Sequence, residues 1–136
     1  MAYYQQAGLG SVGSYQVSGV PWITGSGPDG LGPLEEVKIS FPNVTKTILV
    51  INVDAGNHDL RVHFNSTGSG NVVSGRHYVT LGTNQSAVGF NVKCKEIYIS
   101  NPETGITSGS SYEVVAELTG ISTTEMFVLT GSGLTD

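Results

Sequence analysis

The side chains that could do chemistry are few and scattered. The chain carries three histidines, His58, His63 and His77, and one cysteine, Cys94. A zinc site needs three or four convergent ligands. His63 and His77 fall in strand-like runs and could be cross-strand neighbours, with Asp59 near in sequence. That spacing matches no metal motif, so no metal is expected. Asp54, His58 and Asp59 supply acids and a base for acyl transfer. No G-x-S-x-G elbow or comparable turn singles out one of the many serines as nucleophile. Glu35 and Glu36 are adjacent and would point to opposite faces of a strand, whereas acid–base work on one substrate needs both to face it. The glycine-rich runs "GSGPDGLG" and "STGSGN" lack the lysine and the following helix of a phosphate-binding loop. The run Asp54–Asp59 falls short of a twelve-residue calcium loop. Cys94, in "FNVKCKEIYIS", reads as a small buried hydrophobe and has no second cysteine to pair with. These residues predict no enzyme activity, no cofactor and no metal.

What must then be explained is the scaffold. The chain has 136 residues, of which 19 are glycine and only 12 % are charged, against a usual ~25 %. A chain of this length can bury about two-thirds of its unfolded surface as one domain. No G-X-Y period points to collagen, and so little charge argues against charge-driven disorder. The net charge is −5, and the six basic residues, Lys38, Lys46, Arg61, Arg76, Lys93 and Lys95, are dispersed. That excludes direct nucleic-acid binding as the expected role. No window reaches the ~18 apolar residues of a membrane helix, and the opening "MAYYQQAGLGSVGSY" lacks the charged and apolar regions of a signal peptide. The three Asn-X-Ser/Thr patterns, at Asn43, Asn65 and Asn84, read as chance matches in a chain rich in these residues.

From Glu35 onward the chain alternates. "EEVKISF" puts Val37, Ile39 and Phe41 on one face. "TKTILVIN" is apolar on both faces from Ile48 to Ile51, which predicts a strand buried on both sides. "LRVHF" turns Leu60, Val62 and Phe64 inward and Arg61 and His63 outward. "RHYVTLG" is the next strand. "AVGFNVKCKEIYIS" is long for one strand and changes phase, which a bulge or bend near residues 93–96 would resolve. "YEVVAEL" carries Tyr112, Val114, Ala116 and Leu118 on one face, and "EMFVLTG" is a candidate last strand. No stretch has helical periodicity. Seven or eight short strands after residue 35 predict an all-β antiparallel sandwich, of which a jelly roll is the best fit and a seven-stranded immunoglobulin-like sandwich the rival. The expected core is Phe41, Ile48, Val50, Leu60, Val62, Phe64, Val79, Leu81, Phe90, Val92, Val114, Ala116 and Leu118.

Residues 1–34 differ from the rest. They are rich in Gly, Ser, Tyr and Gln, and no charge precedes Asp29. Tyr3, Tyr4, Tyr15 and Trp22 punctuate them, and each ring can bury ~150–250 Å² when docked. The chain therefore divides into an N-terminal arm, 1–34, anchored by aromatics, and a sandwich, 35–136. Tyr3, Tyr4, Tyr15 and Trp22 are the expected interaction residues, with Trp22 reaching a pocket on a neighbouring subunit or capsid protein.

The phrases "GVPWITGS", "ISFPNVTKTILVIN", "HDLRVHF", "HYVTLG", "VKCKEIYI" and "YEVVAELTGI…LTGSG" resemble small structural proteins of virus particles, of the minor-capsid or capsid-decoration type. The resemblance runs through most of residues 19–134. It implies a jelly-roll module located in the virion, with other capsid proteins as partners and no catalytic residues to carry over. The low charge suits close packing between subunits, and a homo-oligomer, a trimer at a local capsid axis included, suits the symmetry of such particles. A glycan-binding β-sandwich is the alternative, with Tyr78 and Tyr98 as stacking rings and Arg76 and His77 as polar partners.

Overall fold

The computed structural model describes residues 19–27, 30–53, 58–66, 76–82, 84–103, 109–131 and 133–134. They contain eight strands: β1 (Val20–Gly25), β2 (Glu36–Ser40), β3 (Asn43–Asn52), β4 (Leu60–His63), β5 (Val79–Leu81), β6 (Ala87–Phe90), β7 (Glu96–Ser100) and β8 (Tyr112–Ser122). A single 3-10 turn, Thr123–Glu125, follows β8 and is capped by the Ser122 hydroxyl. The strands build two four-stranded antiparallel sheets, in the orders β1-β8-β3-β6 and β2-β7-β4-β5. The pairing follows one rule. β1 pairs with β8, β2 with β7, β3 with β6 and β4 with β5, like a two-stranded ribbon. The further pairs β3–β8 and β4–β7 fold that ribbon into two sheets.

The alternation read from the sequence decides which face of each strand is inside. Ile39, Phe41, Ile48, Val50, Leu60, Val62, Leu81, Ile97, Ile99, Val114, Ala116 and Leu118 are buried between the sheets. Each buried aliphatic chain contributes about 1.5–3 kcal/mol. A one-residue slip would turn a whole strand's apolar set to water, so the pattern also fixes register. Phe64, Phe90 and Val92 close one part of the core while only partly buried, with Phe64 and Phe90 edge to face at 5.6 Å. Val79 is half-buried.

Four expectations need correction. The long run from Ala87 to Ser100 is two strands in different sheets, with residues 91–95 crossing between them, so its phase change is a change of sheet. β3 is not buried on both sides: Ile48 and Val50 face the core, while Leu49 lies on the outer face. "EMFVLTG" forms no strand: the chain after β8 makes a 3-10 turn and then runs on without pairing to a sheet edge. Met126 is buried and Leu129 half-buried against the core, leaving Phe127 and Val128 exposed. The eighth strand comes instead from the segment read as an arm. β1 matches β8 from Val20 opposite Leu118 to Gly25 opposite Glu113, so residues from Val20 onward belong to the sandwich. Residues 1–18, with Tyr3, Tyr4 and Tyr15, lie outside the described residues.

Two devices hold the chain between β1 and β2. Gly30 has φ +68, and a Cβ there would come within 2.6 Å of the Ser110 carbonyl carbon. Only glycine fits both the backbone conformation and the close approach. It lets Leu31 exchange both backbone hydrogen bonds with Ser110 and enter the core. Asn101, 1 % exposed, donates to the Leu31 carbonyl and accepts from the Glu103 amide. Its own backbone bonds Leu34 and Glu35. Asn101→Ala should cost about 1–3 kcal/mol for each buried partner left unsatisfied, measured by urea unfolding. A loss below about 0.5 kcal/mol would show that the side chain does not hold this turn.

Candidate functional site

The two outer faces of the sandwich differ in chemistry. On the second sheet, the residues out of phase with the core are Glu36 and Lys38 of β2, Arg61 and His63 of β4, and Glu96, Tyr98 and Ser100 of β7. They satisfy one another. Lys38 pairs with Glu96 at 2.7 Å, and this contact holds the Lys38 ammonium above its ordinary value. Arg61 lies 4.2 Å over the Tyr78 ring. Ser66 donates to Glu36 at 3.1 Å. Tyr98 stacks on His63 with ring centroids 6.0 Å apart.

His63 is 1 % exposed, although its place in the alternation puts it on the solvent side. The Tyr98 ring and the chain through Asn65 cover it. Its Nδ1 lies 2.6 Å from the Asn65 carbonyl. A carbonyl only accepts, so Nδ1 carries the proton and Nε2 accepts from the Ser100 hydroxyl at 2.9 Å. Glu36 stands 3.8 Å from Nδ1. Serine, histidine and carboxylate in this order are the ingredients of nucleophilic catalysis. Here Ser100 is only 6 % exposed, so this pair as it stands is closed to a substrate. The hydrogen bonds satisfy both ring nitrogens of His63 beneath the Tyr98 ring.

Burial pushes the His63 pKa down, against the smaller opposing effects of the Asn65 carbonyl and Glu36; nearby Arg61 lowers it further. The native state therefore refuses a proton that the unfolded chain accepts below about pH 6.5. The stability this confers is complete above that pH and is lost as pH falls toward the depressed native value. Urea unfolding of the wild type between pH 7.5 and 5 should show this loss, and His63→Gln should flatten the slope. Equal slopes in the two proteins would remove His63 from the account.

The first sheet presents the opposite chemistry. Ile23 faces Val115 across the β1–β8 pair, Val115 faces Leu49 across β8–β3, and Leu49 faces Gly89 across β3–β6. This one rung spans all four strands without a polar side chain. Ile23 is 70 % and Leu49 38 % exposed. The next rung carries Gly25, Glu113, Ile51 and Ala87. Glu113 and Glu117 lie on either side of Val115 along β8, so carboxylates flank the band. A Cβ at Gly89 would meet only the Ile48 carbonyl and a Leu49 methyl, both at 4.0 Å. Nothing among the described residues requires glycine there, and its absent side chain leaves a notch beside Leu49. No sequence reading singled out this band. The apolar run Ile48–Ile51 was its signal, read as burial within the chain.

The expected site residues are distributed as follows. Trp22 does not reach away from its domain: its ring packs edge to face on Phe41 at 5.2 Å and against the core. It sits opposite Ala116 in the β1–β8 register, where a small residue leaves space for the indole. Tyr3, Tyr4 and Tyr15, and Asp54 of the candidate acyl-transfer group, lie outside the described residues. Tyr78 and Tyr98 each have a ring face occupied, by Arg61 and by His63. Among the described residues no group of three or more His, Cys, Asp or Glu is placed to hold a metal, around His63 and His77 or elsewhere. Cys94 is buried, bonded to the Thr45 hydroxyl, and its thiol is pushed up to about 11 by burial. That keeps it protonated and poorly nucleophilic at neutral pH. No protein-family model, curated protein or solved structure matches the chain.

Proposed function

We propose that the protein is a structural subunit of a virus particle, a decoration or minor capsid component. It associates with copies of itself and with neighbouring capsid proteins through the outer face of its first sheet. The observation that carries the reading is the four-strand apolar rung Ile23–Val115–Leu49–Gly89, set against a second sheet whose outer polar groups are mutually paired. No other layer among the described residues covers this sheet face, which exposes aliphatic surface, and such bands rimmed by charge mark association surfaces. We further read the sandwich as a jelly roll. The nested pairing of β1 with β8 through β4 with β5 supports that reading, since a bent two-stranded ribbon is how that fold is built. The low charge of the chain fits subunit packing.

The test of location is cryo-electron microscopy of particles purified from the source of this sequence. The expected result is density for an eight-stranded sandwich on the capsid, with β1, β8, β3 and β6 turned toward a neighbouring subunit. A chain missing from the particles, or present with that face in solvent, would overturn the reading.

A further inference from the structure

The apolar rung across the first sheet differs at its two ends. At the β1 end Ile23 stands out, 70 % exposed. At the β6 end Gly89 offers no side chain, and the nearest atoms to a Cβ built there are 4.0 Å away. Val115 and Leu49 lie between them. A projection and a notch at opposite ends of one line are complementary in two copies of the same chain. Sheets packed face to face lie ~10 Å apart, and close packing leaves few voids between them. A two-fold axis in the plane between two such faces can run along the rung or along the strands. An axis along the rung sets Ile23 against the partner's Ile23 and Gly89 against the partner's Gly89, crowded at one end and empty at the other. It also sets Glu113 against the partner's Glu117, since the two flank Val115 along β8. An axis along the strands, midway between Val115 and Leu49, sets Ile23 over the partner's Gly89 and Val115 over the partner's Leu49. The side-chain layer is then even along the rung. Glu113 faces the partner's Ile51 and Glu117 the partner's Thr47, the residues that pair with them within one sheet, so no carboxylate meets another.

We propose that two copies of the chain dimerise through this face about a two-fold axis parallel to the strands, with Ile23 of each copy seated in the notch at the partner's Gly89. Every contact occurs twice, as such an axis requires. The inference rests on the reading of this face as an association surface, and it adds the occupant and its orientation. It also gives a reason for glycine at position 89, where nothing among the described residues requires it.

Cross-linking of the full chain tests the axis. Ile23→Cys and Gly89→Cys are made as separate variants. Cys94 is buried, with its thiol pushed up to about 11, and stays unreactive at neutral pH. In the proposed dimer the two copies of position 23 lie on opposing sheets and three strand spacings apart, ~14 Å along the rung, whereas position 23 of one copy faces position 89 of the other. A bismaleimide too short for that diagonal should cross-link a mixture of the two variants and neither variant alone. Gly89→Leu, which fills the notch, should weaken association at least tenfold in sedimentation velocity, with an unchanged urea midpoint because its own chain leaves room for a side chain there. Cross-links within either variant alone, or none in the mixture while the chain still associates, would overturn the axis and leave the face as an association surface. Association of Gly89→Leu equal to that of the wild type would overturn the notch. A wild type that is monomeric at every concentration would overturn the dimer and the association reading together.

Discussion

Phe41→Ala is expected to lower the unfolding free energy by about 3–5 kcal/mol, and Trp22→Ala by about 3 kcal/mol, with no change in association state. Phe41 is 3 % exposed at the end of β2, and Trp22 comes to it from β1 in the other sheet. Their rings meet edge to face at 5.2 Å, a geometry that contributes about 0.5–1.5 kcal/mol beyond burial alone. Removing either ring leaves a cavity between the sheets that the short edge strand β1 cannot collapse into without losing its register on β8. The double variant should therefore lose less than the sum of the single losses, by that coupling. Urea unfolding of the four proteins measures the cycle, and sedimentation velocity of the same samples measures association. If Trp22→Ala kept its stability within about 1 kcal/mol but lost association, Trp22 would be an intermolecular anchor and its place against Phe41 would not be the one that matters.

Much of this architecture is legible in the sequence, because period-two alternation is a direct consequence of pleat geometry. It correctly places Phe41, Ile48, Val50, Leu60, Val62, Leu81, Val114, Ala116 and Leu118 inside. It fails where burial comes from outside the strand. His63 obeys the alternation in direction, yet Tyr98 and Asn65 cover it, and neither contact leaves a trace in local sequence. β1 was hidden for a related reason. "VPWITG" has proline and glycine within it and only one large inward residue, so it scores poorly as a strand. It is held by the long partner β8, whose sequence separation from it no local reading spans. The apolar band shows a third limit. Leu49 and Ile51 read as the second buried side of their strand because an apolar residue carries no label saying which molecule will bury it. Only the register, which aligns Ile23, Val115, Leu49 and Gly89, shows that they share one outer face, which no other described layer covers.

The second large effect is on association, and it tests the central claim most directly. Ile23→Glu with Leu49→Glu places two carboxylates in the middle of the band, beside Glu113 and Glu117. Any partner packed there would have to bury unpaired charge, a cost of several kcal/mol. Both positions are exposed, so the fold itself should change by only about 0.5 kcal/mol. Sedimentation velocity over a concentration series, wild type against the double variant, reads the outcome. The account predicts that the wild type forms a defined oligomer and that the variant associates at least 100-fold more weakly, about 2.7 kcal/mol, with an unchanged urea midpoint. A wild type that stays monomeric throughout the series, or a double variant that assembles as the wild type does, would contradict it.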